Sequence, residues 1–553
     1  MKILDKEIAS YTLRQQQIDI FEDFKKHENN NKYFLIDIPV GSGKSLISLM
    51  ISKYFIDKDQ TVKIDLVTNS KLLQNQYTEE FKSISNLWGR EGYSCNNFPT
   101  SCSQGKDFAS LTKQRCENCP YESCKSDYMN GNISLTNMHM FITLHLYQAK
   151  MLESMRKEAK ILIVDESHLF EQIFSEYISV GISDKTLKRL SFTDKEIKDI
   201  NKEMDDIYDI HEMNIYLNTK MRKRVENKIG DIENDIKSFN TNQITRSIKL
   251  DELVASKKDN KYIKQLKYKN ELENLRTRID KFVEDYKKSD SNWVLDINKK
   301  TNMYSLQTVW AKDHMQKLIW SKYDKIIFLS GTILDKELFC FINGLEVKDA
   351  HYYNLPSTFP LKNRPIYYMP IGKMSYKEKK GTMVDMVWWL EKLLKKYQDK
   401  KGIIHTNTFE IANWIKDAIS TDRFLFHDDG DRDYLLKKHY NVEEPTVIVS
   451  PSMTTGIDLK DDYGRFGILV KVPYPSLDSN KNKARLKSNQ EWYNYMTVLT
   501  IIQSYGRNVR SHTDYSDFFI LDSCFSDIMR KCSKYLPMYV QMAIKQLDLK
   551  KLK

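Results

Sequence analysis

The run Tyr33-Phe-Leu-Ile-Asp-Ile38, leading directly into Pro39-Val-Gly-Ser-Gly-Lys-Ser45, constrains this chain more than any other feature. An apolar stretch of strand length, then a glycine loop, then the helical run Leu46–Phe55 is the opening unit of a parallel α/β sheet. Gly41, Ser42 and Gly43 leave backbone N–H groups free to wrap phosphate oxygens at a helix N-terminus. Lys44 is then placed to reach the β- and γ-phosphates, and the Ser45 hydroxyl to take a position on Mg²⁺. Ile38 stands where the strict GxxxxGK(S/T) form has its first glycine, so the motif is the shorter GxGK(S/T) core. A chance glycine loop is the competing reading, and the strand-to-helix context argues against it.

Ile161-Leu-Ile-Val-Asp-Glu-Ser-His168 reads as the second half of such a site. Four apolar residues followed by two acids put carboxylates at the C-terminal edge of a strand, where parallel sheets hold their ligands. Asp165 there binds Mg²⁺, and Glu166 orients and deprotonates the attacking water. Near the other end, Gln503-Ser-Tyr-Gly-Arg-Asn-Val-Arg510 places Gln503, Arg507 and Arg510 four and three residues apart, on one helical face. Two arginines facing a γ-phosphate from a second domain stabilise transition-state charge as arginine fingers do, with an ordinary exposed basic helix as the alternative.

Length allows that arrangement: 553 residues exceed one core. Strand-length runs at Ile64–Val67, Ile133–Thr136 and Ile326–Leu329 extend the first α/β unit, and Gly402–His405, Thr446–Val449, Phe466–Val470 and Asp517–Leu521 predict a second. Between them, residues 171–300 carry a single glycine, Gly230, beyond Gly181 and no proline, with Lys, Glu, Asp, Asn and Ile at helical spacing; this predicts an all-helical insertion with an antiparallel helical pair up to Lys288. No apolar run approaches the roughly 18 residues of a membrane helix, and Met1–Glu7 lacks a signal-peptide core, so a soluble, cytoplasmic protein without a membrane partner is expected. The net charge of +11, from 86 basic and 75 acidic residues, suits a polyanionic partner, though lysine-rich composition alone explains it equally well. Five of the eight cysteines, Cys95, Cys102, Cys116, Cys119 and Cys124, fall within 30 residues, which in a reducing compartment points to a metal site rather than disulfides. Cys340, Cys524 and Cys532 read as ordinary thiols.

In this order the motifs resemble those of the XPD/DinG family of iron–sulphur superfamily 2 helicases, across nearly the whole chain. Arg14-Gln-Gln-Gln17 is similar to the family's adenine-contacting segment, Thr68-Asn-Ser-Lys71 opens its first DNA-contacting motif, and Thr136-Asn-Met-His139 matches its Thr-Asn-His segment. Asp165-Glu-Ser-His168 is the DEAH box with Ser for Ala, Ser330-Gly-Thr332 stands for the Ser-Ala-Thr coupling motif, Thr455-Gly456-Ile-Asp458 resembles the fifth motif with a departure at Thr455, and Val472-Pro-Tyr-Pro475 resembles Leu-Pro-Phe-Pro. The resemblance implies nucleotide contacts at Arg14, Gln17, Gly456 and Asp458, coupling through His168, Ser330 and Thr332, and DNA contacts at Thr68, Lys71, Asn137 and His139. It further implies a 4Fe–4S cluster on Cys95, Cys116, Cys119 and Cys124. Cys102 is a fifth candidate that could replace Cys95, and a structural zinc is the competing metal.

The expected architecture is two RecA-like parallel-sheet lobes, with a cysteine-rich and an arch-like helical insertion in the first. The domain boundaries follow: 1–88, 130–170 and 301–345 for the first lobe, 89–129 for the cluster, 171–300 for the arch and 346–553 for the second lobe. By resemblance the activity is ATP-dependent 5′-to-3′ movement on single-stranded DNA and unwinding of forked duplexes, by a monomer or a subunit of a DNA-processing assembly, without the N-terminal exonuclease of some DinG relatives. An RNA or RNA–DNA hybrid helicase, and a DNA-binding scaffold with weak ATPase, remain the alternatives.

Overall fold

The computed structural model describes residues 2–39, 41–97, 100–112, 116–157, 159–237, 257–289, 292–426, 432–453, 457–509 and 511–549. Arg510, Thr455 and Gly456, singled out above, lie outside them. In chain order the strands are β1 (Tyr33–Asp37), β2 (Lys63–Thr68), β3 (Ser85–Leu87), β4 (Ile133–Asn137), β5 (Ala159–Asp165), β6 (Val180–Ile182), β7 (Trp293–Asn298), β8 (Met303–Thr308), β9 (Lys325–Ser330) and β10 (Ala350–Asn354). Then follow β11 (Ile366–Gly372), β12 (Gly402–His405), β13 (Phe424–Phe426), β14 (Val447–Ser450), β15 (Phe466–Leu469), β16 (Asp517–Asp522) and β17 (Ile544–Gln546).

Two seven-stranded sheets, β10-β1-β9-β5-β2-β4-β3 and β13-β14-β12-β15-β16-β11-β17, form the two lobes. Every pairing within them is parallel. A parallel sheet is covered on both faces, which is why its strands are continuously apolar rather than alternating. Phe34 and Ile36 pack to one side with Ile47 and Ile51 of the helix Lys44–Lys58, while Tyr33 and Leu35 pack to the other with Phe328 and Trp320. Each strand read from the sequence is present. β10 pairs with β1 over Tyr33↔Ala350 to Asp37↔Asn354, so the first lobe continues past the expected boundary at residue 345.

The insertion between β5 and β9 is helical in its body. The helices Arg222–Lys237 and Lys257–Tyr286 bury a shared seam of Val225, Ile229 and Ile232 against Leu272, Leu275 and Ile279. Arg222 pairs with Asp280 and Glu233 with Lys269, so the two run antiparallel. The all-helical expectation fails at the base, where β6, β8 and β7 make a small antiparallel sheet. Trp293, Leu295, Tyr304 and Leu306 supply its buried side, so alternation appears here and not in the lobes. The helix Lys257–Tyr286 also packs against the helix Cys102–Thr112 of the cysteine-rich insertion. Among the described residues no helix is long and apolar enough to cross a membrane.

Candidate functional site

Strand order builds the site. β1, β9 and β5 are neighbours in register, with Asp37 opposite Ser330 and Asp165 opposite Leu329. The glycine loop, Ser330-Gly-Thr332 and Asp165-Glu166 therefore leave the same edge side by side. Gly41 and Gly43 have φ values of 81° and 80°, the left-handed region that side-chain-bearing residues avoid. Gln17 braces this loop: its Nε2 donates to the Ser42 carbonyl at 3.1 Å and its Oε1 accepts from the Arg14 N–H at 3.0 Å. The Arg14 guanidinium donates to the Gly41 carbonyl at 2.7 Å. Arg14 and Gln17 thus hold the loop from below, besides any contact with a base.

Lys44 Nζ lies 2.9 Å from Glu166 Oε1 and 4.0 Å from Asp165 Oδ1. Burial pushes the Glu166 carboxyl up, but Lys44, His168 and Arg507 together outweigh it and hold it well below the usual range. Asp165 is pushed up, because burial is only partly offset by the more distant Lys44. Glu166 itself sits at φ 53°, an unusual backbone for a non-glycine residue and a form of strain met at functional sites. Two residues that the sequence did not single out support this pair. Tyr77, fully buried, donates its phenol to Asp165 Oδ2 at 3.2 Å and meets Ser48 Oγ at 3.4 Å. Asp37, pushed up to about 6 by burial, accepts from the Leu334 N–H at 2.7 Å and fixes the turn after Ser330-Gly-Thr332.

From His168, whose Nδ1 is 3.6 Å from Glu166 Oε2, a hydrogen-bonded chain leads into the second lobe. His168 Nδ1 meets Ser330 Oγ at 2.7 Å, Ser330 Oγ accepts from the Thr332 N–H at 3.1 Å, and Gln503 Nε2 donates to Thr332 Oγ1 at 3.4 Å. Burial pushes the His168 imidazole down to about 4, so it takes part as a neutral ring. Gln503 lies in the last turn of the helix Gln490–Tyr505, and Arg507 follows it, its Nε donating to the Gln503 carbonyl at 3.1 Å. Arg14, Gln17, Gly41, Gly43, Lys44, Ser45, Asp165, Glu166, His168, Asp458 and Arg507 all line one cavity of about 690 Å³ between the lobes. That volume is in the range of small-molecule sites. Ser45 and Asp165 face the same space, a hydroxyl and a carboxylate of the kind Mg²⁺ takes alongside phosphate oxygens.

The same sheet edge continues to β2 and β4, where Thr68 and Asn137 are register partners. Both side chains hydrogen-bond within the protein. Thr68 Oγ1 donates to the Ser70 carbonyl at 3.1 Å; Asn137 Oδ1 caps the next helix through the Met140 N–H at 2.9 Å, and its Nδ2 donates to Gln74 Oε1 at 2.9 Å. Lys71 and His139 are the exposed members, beside Asn69, Ser70 and Tyr177 around a shallow hollow.

The cysteines gather unevenly. Cys102 is buried with its Sγ 3.6 Å from Cys119 Sγ and 3.4 Å from an Arg90 nitrogen. Burial, then Cys119, pushes the Cys102 thiol up to about 11; burial, then Cys119 and Cys95, pushes Cys116 up. Thiols that raise one another in this way become thiolates together only when a cation offsets their charge. Cys124 instead stands beside the Tyr93 phenol and lines a separate hollow with Trp88 and Asp127.

Residues 390–541 match the family model of the helicase C-terminal domain, and residues 10–194 that of the type III restriction enzyme, res subunit. The chain is similar to the regulator of telomere elongation helicase 1 homologs of Drosophila persimilis, 30% identical over 99 residues, and of Drosophila melanogaster, 31% identical over 99 residues. Each match covers 15% of this chain and 10% of the relative, so only about a tenth of those relatives' length is matched. In three dimensions the chain is similar to a solved XPD helicase, with a TM-score of 0.60 and 14% identity, covering 97% of this chain and 100% of that one. The structure of S. tokodaii Xpd4 gives a TM-score of 0.58 and 13% identity with the same coverage. At such identity the likeness is one of fold.

Proposed function

We infer that this chain is an XPD/DinG-type superfamily 2 helicase that uses ATP to move along single-stranded DNA and part the duplex ahead, a reading supported by its two family-model matches and its fold. The observation that carries this reading is the shared cavity: Lys44 and Glu166 of one lobe face Arg507 of the other. ATP bound on Gly41–Ser45 engages Lys44 with its terminal phosphates. Asp165 and Ser45 hold Mg²⁺, Glu166 takes a proton from the attacking water, and Arg507, with Arg510 as companion, meets the charge that develops on the γ-phosphate. Hydrolysis then requires the lobes to close, and the His168–Ser330–Thr332–Gln503 chain reports the phosphate state to the helix that closes them. The strand of DNA lies along the β2 and β4 end of the same edge, against Lys71 and His139.

The donor set fits an iron–sulphur cluster, since soft thiolates select it. The ligands we assign are Cys95, Cys102, Cys116 and Cys119, because Cys102 Sγ lies 3.6 Å from Cys119 Sγ while Cys124, on the same small core, lies beside the Tyr93 phenol. A bound 4Fe–4S group supplies a rigid cross-link to this insertion. Cys102→Ser then loses most of the iron and Cys124→Ser keeps it; the reverse result returns Cys124 to the set, and zinc without iron replaces the cluster by a structural ion.

The motor is tested by ATPase assays with single-stranded DNA or RNA as activator, followed by strand displacement on substrates with a 5′ or a 3′ overhang. DNA stimulation and unwinding from the 5′ overhang are expected. Stronger stimulation by RNA favours an RNA helicase, stimulation by neither favours a scaffold subunit, and unwinding from the 3′ overhang alone reverses the assigned direction.

A further inference from the structure

Away from the glycine loop, toward the N-terminal ends of the strands, three metal-competent side chains converge. Asp23 and His27 are four residues apart on the helix Gln15–His27, hence on one face. His351 comes from β10, the edge strand that this helix covers. The ligand atoms of the three lie within 4.8 Å of one another. We propose that Asp23, His27 and His351 form a binding site for a divalent transition-metal ion of the zinc class.

Chemistry and orientation both support this. Two imidazoles and one carboxylate are the N/O set that zinc takes with a fourth position left open to water. All three residues are half-buried, so an ion can enter and a water can complete the shell. His27 Nδ1 lies 2.9 Å from the backbone carbonyl oxygen of Asp23. The same nitrogen is 3.4 Å from Asp23 Oδ1, so the His27 ring is held against the carboxylate by its own helix, as outer carbonyl partners orient metal-binding histidines. His351 Nε2 lies 2.6 Å from Asp23 Oδ2, and its ring stacks on that of His27 with centroids 3.9 Å apart and planes 13° apart.

An ion here ties the last turn of a helix to the last strand of the first lobe. The opposite end of that helix carries Arg14 and Gln17, which brace the glycine loop. The site is therefore a clamp on the element that supports the nucleotide loop, and it is separate from the cysteines.

The full-length protein with its cysteine site loaded is titrated with Co²⁺, a spectroscopic substitute for zinc. One equivalent is expected to bind with ligand-field bands and no thiolate-to-cobalt charge transfer, and Zn²⁺ to displace it. His27→Asn and His351→Gln should each weaken binding about tenfold or more, the scale on which metal sites respond to lost partners, while Cys124→Ser leaves it unchanged. Zn²⁺ should raise the Tm of the parent protein and not that of either variant. Equal Co²⁺ affinity in parent and both variants, cobalt bands of thiolate character only, or no cobalt binding overturns the proposal.

Discussion

Gly43 shows how tightly single residues are specified here. A Cβ at this position would stand 2.3 Å from Gln17 Nε2 on a backbone at φ +80°. Gly43→Ala should therefore displace Gln17, add about 1–2 kcal/mol of backbone strain and weaken ATP binding, as measured by calorimetry; unchanged affinity removes Gln17 from its bracing role. Lys44→Ala should abolish ATP turnover while single-strand binding persists in a fluorescence anisotropy assay, since Lys44 faces the interlobe cavity and not the hollow beside Lys71. Tyr77→Phe removes only the phenol that holds Asp165. Its expected signature is a higher Mg²⁺ midpoint for ATPase with Tm nearly unchanged, and an unshifted midpoint leaves Tyr77 as packing alone. Lys44, Asp165 and Glu166 were legible in the sequence because each lies in a contiguous strand-and-turn signal. Tyr77 and Asp37 were not, since their partners Asp165 and Leu334 lie 88 and 297 residues away.

At the level of elements, the second lobe grips the base of the arch through the helix Asn480–Ser488. Arg485 pairs with Glu171 at 2.6 Å, donates to the Val309 carbonyl at 2.6 Å and lies over the Trp310 ring. Beside it the Asn480 amide donates to the Leu295 carbonyl at 2.8 Å and the Ser479 hydroxyl to Asp296 at 3.1 Å. Both charged partners are buried, so Arg485→Met strands the Glu171 carboxylate at a cost of about 3–5 kcal/mol. The double variant Arg485→Met/Glu171→Leu should recover much of the lost Tm in calorimetry; no recovery places the loss in Trp310 packing instead. None of this was readable beforehand. A lysine- and asparagine-rich stretch such as Ser479–Lys487 looks like a solvated face until its partner 314 residues earlier is known. The three-stranded sheet was missed for a related reason: Trp293–Asn298 interrupts its apolar positions with Asp and Asn, and its central strand β8 pairs with β6 through Tyr304 and Ile182, 122 residues apart (304 − 182).

For the molecule as a whole, folding hides several titratable groups. Burial pushes His145, His168 and His439 down to about 4 and His405 to about 3. Such rings charge in the unfolded chain first, so their effect on stability is absent above pH 6.5 and unfavourable as pH falls from 6.5 toward 4. Asp37, raised to about 6, and Asp107 and Asp165, raised as well, act in the opposite sense, but burial pushes His314 down too, and the lowered histidines outnumber the raised carboxyls. Chemical denaturation should therefore show lower stability at pH 5 than at pH 7, and equal or greater stability at pH 5 contradicts the buried neutral rings. The polypeptide passes from one lobe to the other between β10 and β11, and among the described residues the lobes also meet along a buried apolar seam of Leu338 and Ile342 with Trp492, Tyr495 and Leu499, at the Arg485 grip and at the nucleotide cleft. On the proposed function, the seam and the Arg485 grip together serve as the fulcrum. A small rocking of the second lobe about them would then move Arg507 toward or away from Lys44, so the throw of each stroke would be set by how far that contact stands from Arg507.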